Sequence, residues 1–136
     1  MVRASLGPAP YRVDITAGGH ALVGDEAVAH GGGDEGPSPF DLVLAGLAAC
    51  TLITLRMYGE RKGWPPLDIS AELHHRMAGG RHIIDRHVGV SGAPDEAGLQ
   101  RLRDIVERTP VTLALKSGFD IATTLDPSAV ETGRPR

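Results

Sequence analysis

Between Leu42 and Leu55 fourteen consecutive residues carry no charge, and apolar side chains fall on every side of a helical wheel. Leu42, Ala45, Ala49 and Leu52 recur at three- and four-residue spacing, while Leu44, Leu47, Ala48 and Ile53 fill the opposite side. The start is marked by Ser38 as N-cap, Pro39 at the first helical position and Asp41 at the third, the pattern of a capping box. Arg61, Lys62 and Gly63 mark the end, so the spacing predicts a helix over about 39–62. The uncharged run is too short to span a bilayer, which makes this a central helix covered by protein on most sides.

Period-two alternation takes over on both sides of that helix. Tyr11–Thr16 and His20–Gly24 flank Gly18-Gly19 and predict a hairpin. Leu67–His74 and Arg86–Ser91 predict a second hairpin turning near Ala78-Gly79-Gly80. From about residue 95 to 108, Leu99, Leu102, Ile105 and Val106 restore helical spacing, with Arg101, Arg103 and Arg108 on the outer, solvated face. The helix stops at Thr109-Pro110; Val111–Leu115 predicts one further helical turn and Phe119–Leu125 a last strand. Residues 30–39 hold too many Gly and Pro for a regular element. Strands cluster as hairpins, so the class is α+β with a mainly antiparallel sheet. The division expected is an N-terminal extension over 1–10, one domain over 11–125 and a flexible tail over 126–136.

Composition narrows the function classes. In 136 residues, 41% are hydrophobic and 23% charged, as in an ordinary globular domain. The net charge of -3 supplies no basic footprint, so neither nucleic acid nor an anionic membrane is an expected partner. The first residues lack the apolar core of a secretory signal. Cys50 is the one cysteine, which excludes an internal disulfide and a cysteine-rich zinc site and fits a reducing, cytoplasmic setting. No two of the six histidines have the i, i+4 spacing of helical metal ligands, and no metal or cofactor is expected. The glycine-rich loop lacks the Lys-Ser/Thr of a phosphate loop and carries Asp34 and Glu35.

Cys50 is then the leading chemical candidate. Its local sequence, Ala48-Ala49-Cys50-Thr51, suits a small buried core residue as well as a reactive thiol. Reactivity would need a lowered pKa, and the helix N-terminus is three turns away, so a cation would have to come from elsewhere in the fold.

The run Gly36-Pro37-Ser38-Pro39-Phe40-Asp41 through Ala49-Cys50-Thr51, with Thr54–Tyr58 and Arg61-Lys62-Gly63-Trp64, resembles the OsmC/Ohr family of organic hydroperoxide-reducing proteins. The resemblance covers nearly all of residues 11–125. It implies an α+β fold in which two subunits intertwine, with the cysteine-bearing helices at the centre of a homodimer. It also implies that Cys50 is the peroxidatic cysteine, which attacks a peroxide as the thiolate and becomes sulfenic acid. The family's resolving cysteine lies in a Cys-Pro-Val motif; here the corresponding residues are Thr109-Pro110-Val111, so two-cysteine turnover is excluded. The family's activating Arg and Glu correspond to His20 and Phe40, with Arg12 and Asp41 as nearby substitutes. Two functions follow: a one-cysteine hydroperoxide reductase that uses an external thiol reductant, or a non-catalytic binder of small molecules.

Overall fold

A computed structural model describes residues 1–127. The chain divides into two compact units, residues 1–42 with the segment starting at Ile121, and Val43–Asp120. The fold is α+β, as expected.

The first unit is built on a three-stranded antiparallel sheet, β1 (Val2–Leu6), β2 (Val13–Ala17) and β3 (His20–Gly24), in that spatial order. Gly18 and Gly19, at φ of 56° and 83°, form the two-residue turn whose positive φ matches the twist of the strands it joins. β1 falls inside the stretch expected to be an extension. Its short run, Val-Arg-Ala-Ser-Leu, is weak as an isolated pattern and becomes a strand by pairing along all of β2, from Val2 opposite Ala17 to Leu6 opposite Val13.

The loop after β3 is organised by a buried carboxylate. Asp25 accepts backbone N–H bonds from Glu26 (2.7 Å), Glu35 (3.1 Å) and Gly33 (3.4 Å), and thereby closes the loop on itself. Gly32 is required by close approach, because a Cβ there would lie 2.0 Å from the Glu26 carbonyl oxygen. The bonds from Glu26 and Glu35 are the main cause holding the Asp25 carboxyl below the ordinary carboxylate range. A lowered folded pKa contributes stability above the unfolded value of about 4, and that stability is lost as pH falls through the folded value. The wild-type loop should therefore resist protease through mildly acidic pH and open below it. Asp25→Asn, which offers one acceptor oxygen in place of two, should be cut within residues 26–36 at neutral pH; limited proteolysis followed by mass spectrometry reads both outcomes.

Helix α1 (Pro39–Arg61) starts as its sequence dictates: Ser38 Oγ accepts from the Asp41 N–H (3.2 Å) while Asp41 accepts from the Ser38 N–H (3.3 Å). In the second unit it is followed by β4 (Asp68–Ala78) and β5 (Arg81–Ser91), antiparallel from Asp68 opposite Ser91 to Ala78 opposite Arg81. The hairpin reaches further toward its Gly79-Gly80 turn than the sequence pattern marks. Then come α2 (Glu96–Val106), N-capped by Asp95 through the Gly98 N–H (2.7 Å), and α3 (Pro110–Ser117), two turns where one was expected. Leu55 of α1, Leu67 and Leu102 of α2 form the fully buried core, flanked by Tyr58, Trp64, Val88, Val90 and Val106.

Within its own chain α1 buries one stripe, Leu47, Thr51, Leu55 and Gly59, and leaves Val43, Ile53 and Met57 exposed, Ile53 at 54%. By length and composition this helix would be long enough to cross a bilayer, but the buried stripe is spent on the core. One expectation needs correction: residues 119–125 alternate like a strand yet pair with no edge among the described residues, leaving Ile121 84% and Leu125 90% exposed. A strand exists only by its partner, and the described residues supply none to this segment. Most of the tail expected over 126–136 lies outside the described residues.

Candidate active site

Cys50 is carried by α1 one position before the buried stripe residue Thr51 and is half-buried. Its Sγ lies 3.9 Å from Thr54 Oγ1, one turn on, its one hydrogen-bond partner among the described residues. Thr51 faces inward, and its hydroxyl donates back to the Leu47 carbonyl (2.7 Å).

Thr51 is also where the second unit is tied together. Arg86, on the face of β5 that alternates Ile84, Arg86, Val88 and Val90, is only 12% exposed. Its Nη1 donates to Thr51 Oγ1 (2.9 Å) and to Thr112 Oγ1 of α3 (2.9 Å). Its Nη2 donates to the Val106 carbonyl at the end of α2 (2.7 Å) and lies 3.7 Å from the Glu107 carboxylate. One guanidinium therefore joins the hairpin to three helices, using the fork geometry that an ammonium lacks. Beside it runs an open groove of about 1030 Å³, lined by Leu47, Leu73, Ile84 and Leu115 and edged by Glu107 and Lys116.

Thr109 is fully buried and belongs to the same network. It N-caps α3, accepting from the Thr112 N–H (3.4 Å), and its hydroxyl is 2.6 Å from that of Thr112. Thr109 is thus linked through Thr112 and Arg86 to Thr51, the chain neighbour of Cys50. Its hydroxyl forms no disulfide; what it does is hold a helix start. Thr109→Val keeps the shape and removes both bonds, so it should cost about 1–2 kcal/mol in denaturant unfolding, whereas Thr109→Ser should cost well under half of that.

The remaining candidates belong to the first unit and have partners or places there. Arg12 donates to Glu35 (2.8 Å) and Asp14 (3.3 Å), and these carboxylates raise its already high pKa. Asp41 serves the α1 capping box. His20 opens β3 opposite Ala17 and is exposed, as is Phe40. The arginines of α2 and of the turn after it are outward, as expected: Arg103 donates to Glu96 and Arg108 to the Asp104 carbonyl.

Arg86 is the residue that sequence reasoning missed. The available signal was its parity, a charge at an inward position of an otherwise apolar strand face.

An α+β fold with one half-buried thiol on its longest helix defines a single-thiol protein, and sequence comparison gives its class. The profile of the OsmC-like protein family matches residues 31–124, and the chain belongs to that family. No curated protein matches it. Among solved structures it is similar to the OsmC-like protein of Mycoplasma pneumoniae, at 19% identity and a TM-score of 0.71, covering 85% of this chain and 86% of that one. It is also similar to an organic hydroperoxide resistance protein OsmC from Legionella pneumophila (19%, TM-score 0.61, 85% and 88% covered). A third is the organic hydroperoxide resistance protein OhrB of Bacillus subtilis (23%, TM-score 0.57, 85% and 89% covered). At these identities the likeness speaks for the fold.

Proposed function

We infer that this chain acts in redox stress defence as a one-cysteine reductase of organic hydroperoxides, working as a homodimer in the cytoplasm with an external thiol as reductant. What supports the reading is the one cysteine of a chain of the OsmC-like family: Cys50 is half-buried on α1, and the resemblance to the OsmC/Ohr pattern assigns the peroxidatic role to it. Two of its structural neighbours are organic hydroperoxide resistance proteins, which supports the substrate class.

The chemistry balances with one protein thiol. The Cys50 thiolate attacks one peroxide oxygen, the O–O bond breaks, and the departing alkoxide takes a proton to leave as an alcohol. The resulting sulfenic acid condenses with one thiol of an external dithiol, releasing water and leaving a mixed disulfide; the donor's second thiol then displaces Cys50. With Thr109 at the second position, resolution is bimolecular. His20, at a position that corresponds to a family activator, and Arg12 and Asp41 as nearby substitutes are the candidate activators.

The dimer is supported by what the single chain leaves uncovered, Val43, Ile53 and Met57 on α1 together with Phe119, Ile121 and Leu125. Burying these predicts a two-fold assembly with more than about 2,000 Å² of interface. Light scattering at micromolar concentration should give twice the chain mass; a stable single-chain particle would contradict it.

The direct test mixes purified protein with cumene hydroperoxide and either dithiothreitol or a dihydrolipoyl donor and follows peroxide loss. Consumption that depends on both protein and dithiol is expected; its absence with either donor would contradict the enzymatic reading. The second reading, a non-catalytic binder, is favoured by one observation: among the described residues the Cys50 thiol has a hydroxyl beside it and no charged partner. Thiol titration separates the two, since a peroxidatic cysteine ionises well below about 8.5 and a packing residue at or above it.

A further inference from the structure

The turn end of the β4–β5 hairpin brings two histidines and a methionine together on one face. Strand alternation and register put His75, Met77, His82 and Ile84 on one face, with His75 opposite Ile84 and Met77 directly opposite His82. His75 Nε2 and His82 Nδ1 are 2.9 Å apart, the ring planes differ by 19° and the ring centres are 5.1 Å apart. The two nitrogens therefore point at each other edge to edge, with a single ring proton between them. Directly opposite residues of an antiparallel pair have Cβ atoms about 5 Å apart, which puts the flexible Met77 thioether within reach of His82.

The geometry points to His75, His82 and Met77 as a binding site for a soft monovalent transition-metal ion of the Cu(I) kind. Two imidazole nitrogens in line are the donor set of a two-coordinate d10 cation, and a thioether as third ligand selects soft Cu(I) over harder divalent ions. Metal–nitrogen bonds of about 2.0 Å place the nitrogens about 4 Å apart, so the rings must separate by roughly 1 Å. The site is at a hairpin end, with His82 and Met77 exposed, where that movement is cheap. On binding, the ring that donated its N–H changes tautomer and carries the proton on its other nitrogen. Arg76 and Arg81 lie on the opposite face of the hairpin, where Arg76 is paired with Asp85, and Arg86 is engaged with Thr51, Thr112 and Val106. Repulsion from these cations is correspondingly small.

The test uses the full chain carrying Cys50→Ser, which removes the competing thiol, under anaerobic reducing conditions with Cu(I) held by the coloured chelator bicinchoninate. The expected result is withdrawal of one Cu(I) per chain, weakened at least tenfold by His82→Phe and measurably by the volume-conserving Met77→Leu. Addition of redox-inert Ag(I) to the same protein should shift the ring resonances of His75 and His82 in nuclear magnetic resonance spectra. Failure to take Cu(I) from the chelator would overturn the assignment. So would equal affinity in the parent protein and in the folded His82→Phe and Met77→Leu variants, or tighter binding of Zn(II) than of Cu(I).

Discussion

Replacing Cys50 with serine is expected to bring dithiol-supported consumption of cumene hydroperoxide down to the uncatalysed background, a loss of about a hundredfold or more. The chain has no other sulfur nucleophile of this kind, and a serine hydroxyl is essentially un-ionised where a thiol is partly thiolate. The fold should be nearly indifferent, because the thiol is half-buried and its one hydrogen-bond partner among the described residues, Thr54 at 3.9 Å, makes only a long, weak contact whose loss costs little. Loss of activity with an unchanged unfolding midpoint separates chemistry from packing. Peroxide loss by the wild-type protein should also become first order in dithiol once Cys50 is oxidised, since Thr109 offers no internal thiol to resolve the sulfenate. A Cys50→Ser variant that consumes peroxide at the wild-type rate would remove the basis for the mechanism.

Arg86→Met is expected to be the most damaging substitution for stability. The methionine fills much of the same space but leaves the Thr51 and Thr112 hydroxyls and the Val106 carbonyl without their cationic donor. Charge-assisted bonds are worth more than neutral ones, and stranded buried acceptors add their desolvation cost, so the loss should be roughly 3 kcal/mol or more. For a chain of this size that lowers the melting temperature by about 10 °C. Arg86→Lys keeps the charge but not the fork, and should fall between the two. Calorimetry of the three proteins reads the order directly. An Arg86→Met variant as stable as the wild type would show that the three helices are held by apolar packing alone.

Much of the fold is legible where the cause is local. The Ser38–Asp41 capping box, the Gly18-Gly19 turn and the Leu99–Val106 spacing each act within a few residues, and the structure bears them out. What escapes a local reading is pairing at a distance. Val2–Leu6 is a strand because β2 offers it an edge, whereas residues 119–125 have the better alternation and no edge to join among the described residues. The candidate site divides the same way. Cys50 is marked by its motif, but the partners of Arg86 come from residues 20 to 35 positions away in the chain, and nothing local links position 86 to 51, 106 or 112. Thr109 shows both sides: the sequence marks a missing thiol, and only the structure shows its hydroxyl capping α3.

The central claim is that Cys50 is a peroxide-reactive thiol and not a packing residue. Its most direct test is intact-mass and peptide mass spectrometry of the reduced protein after one equivalent of cumene hydroperoxide in the presence of dimedone, which captures sulfenic acid. The account predicts one dimedone adduct per chain, located on Cys50 and absent when dithiol is added before the trap. Full recovery of unmodified Cys50, with the peroxide still present in solution, would contradict it.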